Sequence, residues 1–344
     1  MSTAPFSFGF QNKDIDEAAG EVDRDVPMDY IQPNVQPDVQ GIPTATDSEP
    51  RWHTIHAMMT EERDFLDAPV ERPAGLSTSD ITPNSYEGGF KTWECSVDLA
   101  TYVAASLMER NTIEGEHHII EVGAGSALPT LAWLYYLLKH SPPIWTVIHL
   151  SLADFNQSVL ELSTAPNLLL TWYFARAEVA PPLEGDLDIT PALLNRFISD
   201  LSAYRINISF LSGSWGSAFS DCLKYFNGTQ LRPGMKTEFL ASETIYSPAS
   251  IHTFTEVLVK ALENADKNGG CAKAFVAAKR IYFGVGGGVD EFVEGVQEFG
   301  CSVGEVWKRE PPGVAMVILD VVRKESLETL IMGGMSGTPR RCCD

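Results

Sequence analysis

The stretch that decides the fold is "IIEVGAGSALPTLAWLYYLL", Ile119 to Leu138. A short β-branched run closes on an acid, Glu121, and turns through Gly123-Ala124-Gly125. It then opens into a long apolar segment with Pro129 near its start. A bounded apolar run of this kind predicts a buried strand. Proline is tolerated in a first helical turn, so "LPTLAWLYYLLKH" is expected to be a helix. The two glycines let the backbone pass close to a ligand with no Cβ in the way. Ala127 stands where a third glycine would be expected. A G-x-G turn alone is weak evidence for a ligand.

Working outward, strand and helix signals alternate. Upstream, "ECSVDLATYVAASLMER" has apolar residues at helical spacing. Downstream, "WTVIHLSL", "INISFLSG", "TEFLAS" and "CAKAFVAAKR" read as strands. "NQSVLELST", "ITPALLNRFISDL", "SPASIHTFTEVLVKALENA" and "GVDEFVEGVQEFG" read as helices. Thr190 is the expected N-cap before Pro191, and Ser247 or Ser250 caps the next helix. The segment 163–188 is left as a long connection without assigned chemistry. "CSVGEVWKRE" and "VAMVILDVV" are joined through Pro311-Pro312-Gly313 with no helix between them, so they should form an antiparallel hairpin.

This alternation predicts an α/β fold: a seven-stranded, mostly parallel sheet with helices on both faces and a C-terminal antiparallel hairpin. That is the Rossmann-like architecture of class I S-adenosylmethionine-dependent methyltransferases. A plain dinucleotide-binding fold would need a helical crossover before its last strand. The glycine loop argues the same way, since a pyrophosphate calls for the third glycine more strongly than a methyl donor does. Asp154, at the end of the second strand of "WTVIHLSLADFN", is placed either to accept both ribose hydroxyls, with Asn156 beside it, or to cap the helix that follows. Trp215, on the loop "LSGSWGS", suits an adenine face or an ordinary core position.

The formal charge of −21 argues against nucleic acid as a direct partner and is compatible with a basic one. The six cysteines show no metal spacing and are expected to be reduced thiols in a cytoplasmic or nuclear protein. No leader, membrane span or lipid anchor is expected. Residues 1–50 hold ten acidic and two basic residues and six prolines, which predicts a mostly disordered tail, interrupted by "FSFGF" at Phe6 to Phe10. The catalytic domain is expected over 51–332 and a flexible tail over 333–344.

"KTWECSVDLATYV", "EVGAGSALPTL", "ADFNQSVL", "FLSGSW", "SETIYS" and "RIYFGVGGGVDEF" together resemble the eukaryotic histidine protein methyltransferases, and "FSFGF" resembles the start of the fungal members. The resemblance implies S-adenosyl-L-methionine as cofactor. It implies a basic protein substrate, a large-subunit ribosomal protein, with no membrane partner and a monomeric enzyme. Cofactor contacts would come from Trp93, Glu121, Gly123, Ala124, Gly125, Asp154, Asn156, Gly213, Ser214, Trp215 and Ser242. Glu243 would accept the N–H of the acceptor imidazole, with Glu94 as the other candidate, and Tyr246 would wall the acceptor pocket. Glu243 could equally be a structural acid, and "GVGGG" either a turn or a close-approach surface for the substrate. A lysine methyltransferase of the same fold and a non-catalytic chaperone of a basic ribosomal protein remain as alternatives.

Overall fold

The computed structural model describes residues 51–54, 88–110, 112–177, 187–226, 229–230, 234–267, 270–284, 286–310 and 313–324. The expectations for 1–50, with Phe6 to Phe10, and for 333–344 lie outside the described residues.

The elements follow in order. Strand β1 is Arg51–Thr54, helix α1 Glu94–Glu109, β2 Glu116–Val122, α2 Leu128–His140 and β3 Val147–Asp154. A single α turn, Gln157–Val159, and a π turn, Leu160–Thr164, lead into α3, Ala165–Arg176. Then come α4 Pro191–Ala203, β4 Ile206–Ser212, α5 Ser217–Cys222, β5 Lys236–Ser242 and α6 Pro248–Lys267. The chain continues with β6 Cys271–Lys279, α7 Val289–Glu298, β7 Cys301–Arg309 and β8 Met316–Arg323.

These eight strands form one sheet in the order β1-β4-β3-β2-β5-β6-β8-β7, and a separate two-residue ladder pairs Tyr225–Phe226 with Thr229–Gln230. Pairings from β4 through β6 are parallel, and those at both flanks are antiparallel. The hairpin is as expected, with β8 inserted between β6 and β7. The chain leaves the centre from β2 toward β4, then returns to the other side of β2 through β5. That reversal is the switch point at which such sheets bind ligands at their carboxyl edge.

Alternating residues of the central strands enter two cores, which is why these runs read as continuously apolar. Ile119, Leu152, Phe210 and Leu240 pack beneath α1, α2, α3 and α4. Ile120, Ala153, Leu211 and Phe239 pack against α5, α6 and α7.

Three features depart from the expectations. The seven predicted strands gain an eighth, β1, antiparallel to β4 through Arg51↔Ser212 and Thr54↔Ser209. The expected helix over Asn156–Thr164 is an α turn followed by a π turn, and the segment left as a connection holds α3. Pro166 sits in the first turn of α3, where its missing N–H costs nothing. Cys95, Cys222 and Cys301 are free thiols, but Cys271 is disulfide-bonded, against the expectation of reduced thiols throughout.

Candidate active site

The glycine turn leaves β2 with Gly123 at φ 69° and Gly125 at φ 51°, both left-handed. Ala127 also sits there, at φ 62°, so the expected third glycine is replaced by a residue that pays strain of about 1 kcal/mol. The loop is fixed from several directions. Gly125 N donates to Asp154 Oδ2 at 3.0 Å, and Thr164 Oγ1, on the π turn, donates to Gly125 O at 2.6 Å. Asn167 Nδ2 donates to Ser126 O at 3.0 Å, and Thr92 Oγ1 to Ser126 Oγ at 3.1 Å. Gly89 lies directly over the turn: a Cβ on Gly125 would stand 3.1 Å from Gly89 O. Thr92, Thr164 and Asn167 went unnoticed in the sequence, and only Thr92 carried a signal, its place in the "KTWE" motif.

Two buried acids sit under this loop. Asp154 also accepts from Asn156 N, Oδ1 to N 3.1 Å. Its carboxylate therefore orders the loop and the start of the next turn. Glu121 Oε2 accepts from Thr130 N at 2.9 Å. Thr130 is in the first turn of α2, whose N-cap Ala127 has no side chain to offer, so the strand acid caps the helix instead. Burial raises the Glu121 pKa to about 8, although the Thr130 bonds pull it down. Its Oε1 is buried with no hydrogen-bond partner among the described residues.

Across the carboxyl edge the predicted residues fall in sheet order. Gly213, Ser214 and Trp215 follow β4; Asp154 and Asn156 end β3; Gly123 to Gly125 end β2; Ser242 and Glu243 end β5. Trp215 lies 5.1 Å, ring to ring, from Phe254 of α6. Three strand spacings, about 14 Å, separate the β4 end from the β5 end. Trp93 belongs to the far end of this line. Its Nε1 donates to Gly88 O at 3.1 Å, and its ring is flanked by Lys91 Nζ at 4.4 Å and Lys279 Nζ at 5.6 Å.

Glu243 begins the loop after β5, with φ 55° and its N–H bonded to Ala277 O at 2.9 Å. Its side chain is 7% exposed, and Oε1 stands 3.6 Å from Lys279 Nζ while accepting no hydrogen bond. Lys279 Nζ donates to Glu94 Oε2 at 2.9 Å. Burial alone would raise Glu94, but the ammonium more than offsets it and holds Glu94 below the usual carboxylate value. Burial, and then the Glu243 charge, push the Cys95 thiol and the Tyr282 hydroxyl far up, so both stay neutral. Tyr246 meets Tyr282 edge-on at 6.4 Å. The "GVGGG" segment is held against its own chain: Gly287 N donates to Tyr246 O at 3.1 Å, and a Cβ on Gly287 would lie 2.4 Å from Tyr246 C.

These residues fit S-adenosyl-L-methionine. Glu121 Oε1 is a buried acceptor without a donor among the described residues, and Gly123 and Gly125 both hold the left-handed backbone of a tight turn. An acid placed at the turn, Asp154, suits a cationic amino-acid ligand better than a pyrophosphate. Glu121, Asp154 and the glycine turn would hold it, with Trp215 at the β4 end.

No family model matches the chain. It is similar to the "Histidine protein methyltransferase 1" of Schizosaccharomyces pombe, with 35% identity over 245 residues, 71% of this chain and 67% of that protein. The Saccharomyces cerevisiae protein of the same name is 34% identical over 234 residues, 63% of this chain and 59% of that one. The homolog in Dictyostelium discoideum is 29% identical over 220 residues, 64% and 52% of the two chains. Among solved structures, the CMeT domain of the citrinin polyketide synthase matches with TM-score 0.39 and 10% identity, over 67% of this chain and 52% of that one. Magnesium protoporphyrin IX methyltransferase from Synechocystis PCC 6803 with bound SAM matches with TM-score 0.36 and 11% identity, over 67% and 80%. The strand order, not these distant likenesses, carries the fold assignment.

Proposed function

The chain belongs to the histidine protein methyltransferase family, and from that premise we propose that it methylates a histidine ring nitrogen of a basic protein, specifically a large-subunit ribosomal protein. S-adenosyl-L-methionine supplies an electrophilic methyl group on a sulfonium. The observation that carries the assignment of roles is Glu243, buried at the tip of β5 beside the glycine turn among Cys95, Tyr282 and Lys279, with Oε1 lacking a hydrogen-bond donor among the described residues.

An imidazole with its ordinary pKa near 6.5 is mostly neutral at pH 7 and is already a nucleophile. The protein's task is then to present one ring nitrogen and hold the other. Glu243 would accept the N–H of the second nitrogen, fix the tautomer, and stabilise the positive charge that grows on the ring. Tyr246, packed on Tyr282, would limit the space to a planar group. The net charge of −21 supports a basic partner, since its field draws one in and opposes self-association. The same reading puts a monomeric enzyme in the cytoplasm and nucleus.

The test is incubation with labelled donor and isolated ribosomal proteins, followed by amino-acid analysis and mapping of the modified residue. Methylhistidine on a large-subunit protein is expected, and label found only on other residues would sink the assignment. Glu243→Gln should lower turnover about 10²–10³-fold while donor affinity by calorimetry stays unchanged. Unaltered turnover would remove Glu243 from the mechanism.

A further inference from the structure

We infer that Lys279 sets the choice of acceptor: its ammonium, held between Glu94 and Glu243 at the end of β6, takes the place a substrate lysine would need and leaves room for a neutral ring. This rests on Glu243 being the acceptor carboxylate.

Lys279 is the last residue of β6, and β6 lies beside β5, whose tip carries Glu243. Its Nζ is 2.9 Å from Glu94 Oε2 and 3.6 Å from Glu243 Oε1, and it faces the ring of Trp93 at 5.6 Å. Its own backbone N–H is bonded to Tyr282 Oη at 3.2 Å, so the stem is anchored at its root. The side chain is only 21% exposed. Burial works against the charge, but Glu243 and Glu94 more than offset it, and the ammonium ends above its ordinary pKa.

The charge count decides between acceptors. Two carboxylates and one ammonium leave a single negative charge in the cluster. A neutral imidazole enters without drawing on that surplus, and does not need the second negative charge that Lys279 neutralises. A lysine arrives protonated at pH 7, with an ordinary pKa near 10.4. To reach Glu243 it must bring a second ammonium to within about 5 Å of the first. At an effective dielectric constant of about 20, that repulsion disfavours a lysine on the order of a hundredfold relative to the same pair of carboxylates without Lys279, which would face it with two charges instead of one. Lys279 thus acts as a built-in occupant of the cationic position, a positioning and specificity residue rather than a group that reacts.

The experiment supplies labelled donor and ribosomal-protein extract to wild type, Lys279→Met and Lys279→Arg, then separates methylhistidine from methyl-lysine after hydrolysis. The ratio of methyl-lysine to methylhistidine should rise at least about tenfold in Lys279→Met, a conservative share of the expected repulsion. It should stay at the wild-type value in Lys279→Arg, which restores the cation. An unchanged ratio in a folded, donor-binding Lys279→Met overturns the inference. So does loss of both products in that variant, since Lys279 would then serve transfer itself. Should Lys279→Met fail to fold, Lys279→Gln, which keeps a hydrogen-bond donor for Glu94, is read in the same way. Wild type without methylhistidine, together with a gain of methyl-lysine in Lys279→Met, would sink the histidine reading and keep the role of Lys279. Neither product from any variant would sink both.

Discussion

Gly125 and Glu243 both hold left-handed backbone, one without cost and one with it. At Gly125, φ is 51° and a Cβ would stand 3.1 Å from Gly89 O. Gly125→Ala therefore adds backbone strain to a clash with a carbonyl that cannot swing aside. A stability loss of about 1–3 kcal/mol is expected from thermal melts. Affinity for the demethylated donor should fall at least tenfold by calorimetry, or about 1.4 kcal/mol. Glu243, at φ 55°, has no glycine's freedom, and the bond from its N–H to Ala277 O keeps it there. Such strain at an acid of low exposure marks a position whose geometry matters more than its comfort. The sequence showed Glu243 as the acid after a strand, because strand ends are legible from apolar periodicity. It did not show the left-handed turn or Lys279 across the next strand, because both depend on how β5 and β6 align. The clamp of Thr92, Thr164 and Asn167 was hidden for the same reason: its members come from two distant stretches and meet the glycine loop only after folding.

Helices were legible where their ends announce themselves. Thr190 before Pro191 predicted α4, and Leu193 N does donate to Thr190 Oγ1 at 3.2 Å. Thr190→Ala should cost about 1 kcal/mol, seen as a lower urea midpoint with an unchanged slope. The α2 helix is the opposite case. Its N-cap, Ala127, offers no acceptor, so its first turn relies on Glu121 from the preceding strand. A cap supplied from another element leaves no local pattern to read. The α3 helix lacked a clear stripe, since Leu168, Leu169 and Leu170 run together, although Leu168, Leu169 and Trp172 are buried. The π turn ahead of it has no sequence signature, yet Thr164 within it reaches the glycine loop.

At the scale of the molecule, two buried groups shape stability against pH in opposite directions. Burial lowers His118 from 6.5 to about 3, and its ring meets Ser151 Oγ at 2.7 Å. As pH falls through 6.5 the unfolded chain takes a proton that the folded one refuses, so stability drops toward pH 3. Glu121 moves from 4.5 to about 8. Its contribution is complete below 4.5 and is lost as pH rises through 8. The two slopes oppose each other between 4.5 and 6.5. A plateau is expected there, with limbs of about 1.4 kcal/mol per pH unit on either side. Urea midpoints measured from pH 3 to 8 test this, and Glu121→Gln, which can still accept from Thr130, should flatten the alkaline limb and turn the plateau into a rise that continues to pH 6.5. The two margins of the sheet have a further consequence. Strand β1 pairs with the outer side of β4 over Ser209 to Ser212 and is itself only four residues long, so the edge at that flank is short. The opposite margin, β7, carries Glu305, Lys308 and Arg309, with Glu305 paired to Arg280 and Arg309 to Asp98, and its pairing with β8 is irregular at Ile318/Leu319. A sheet whose margin is short at one side and charged and kinked at the other resists recruiting unpaired extended chains as extra strands.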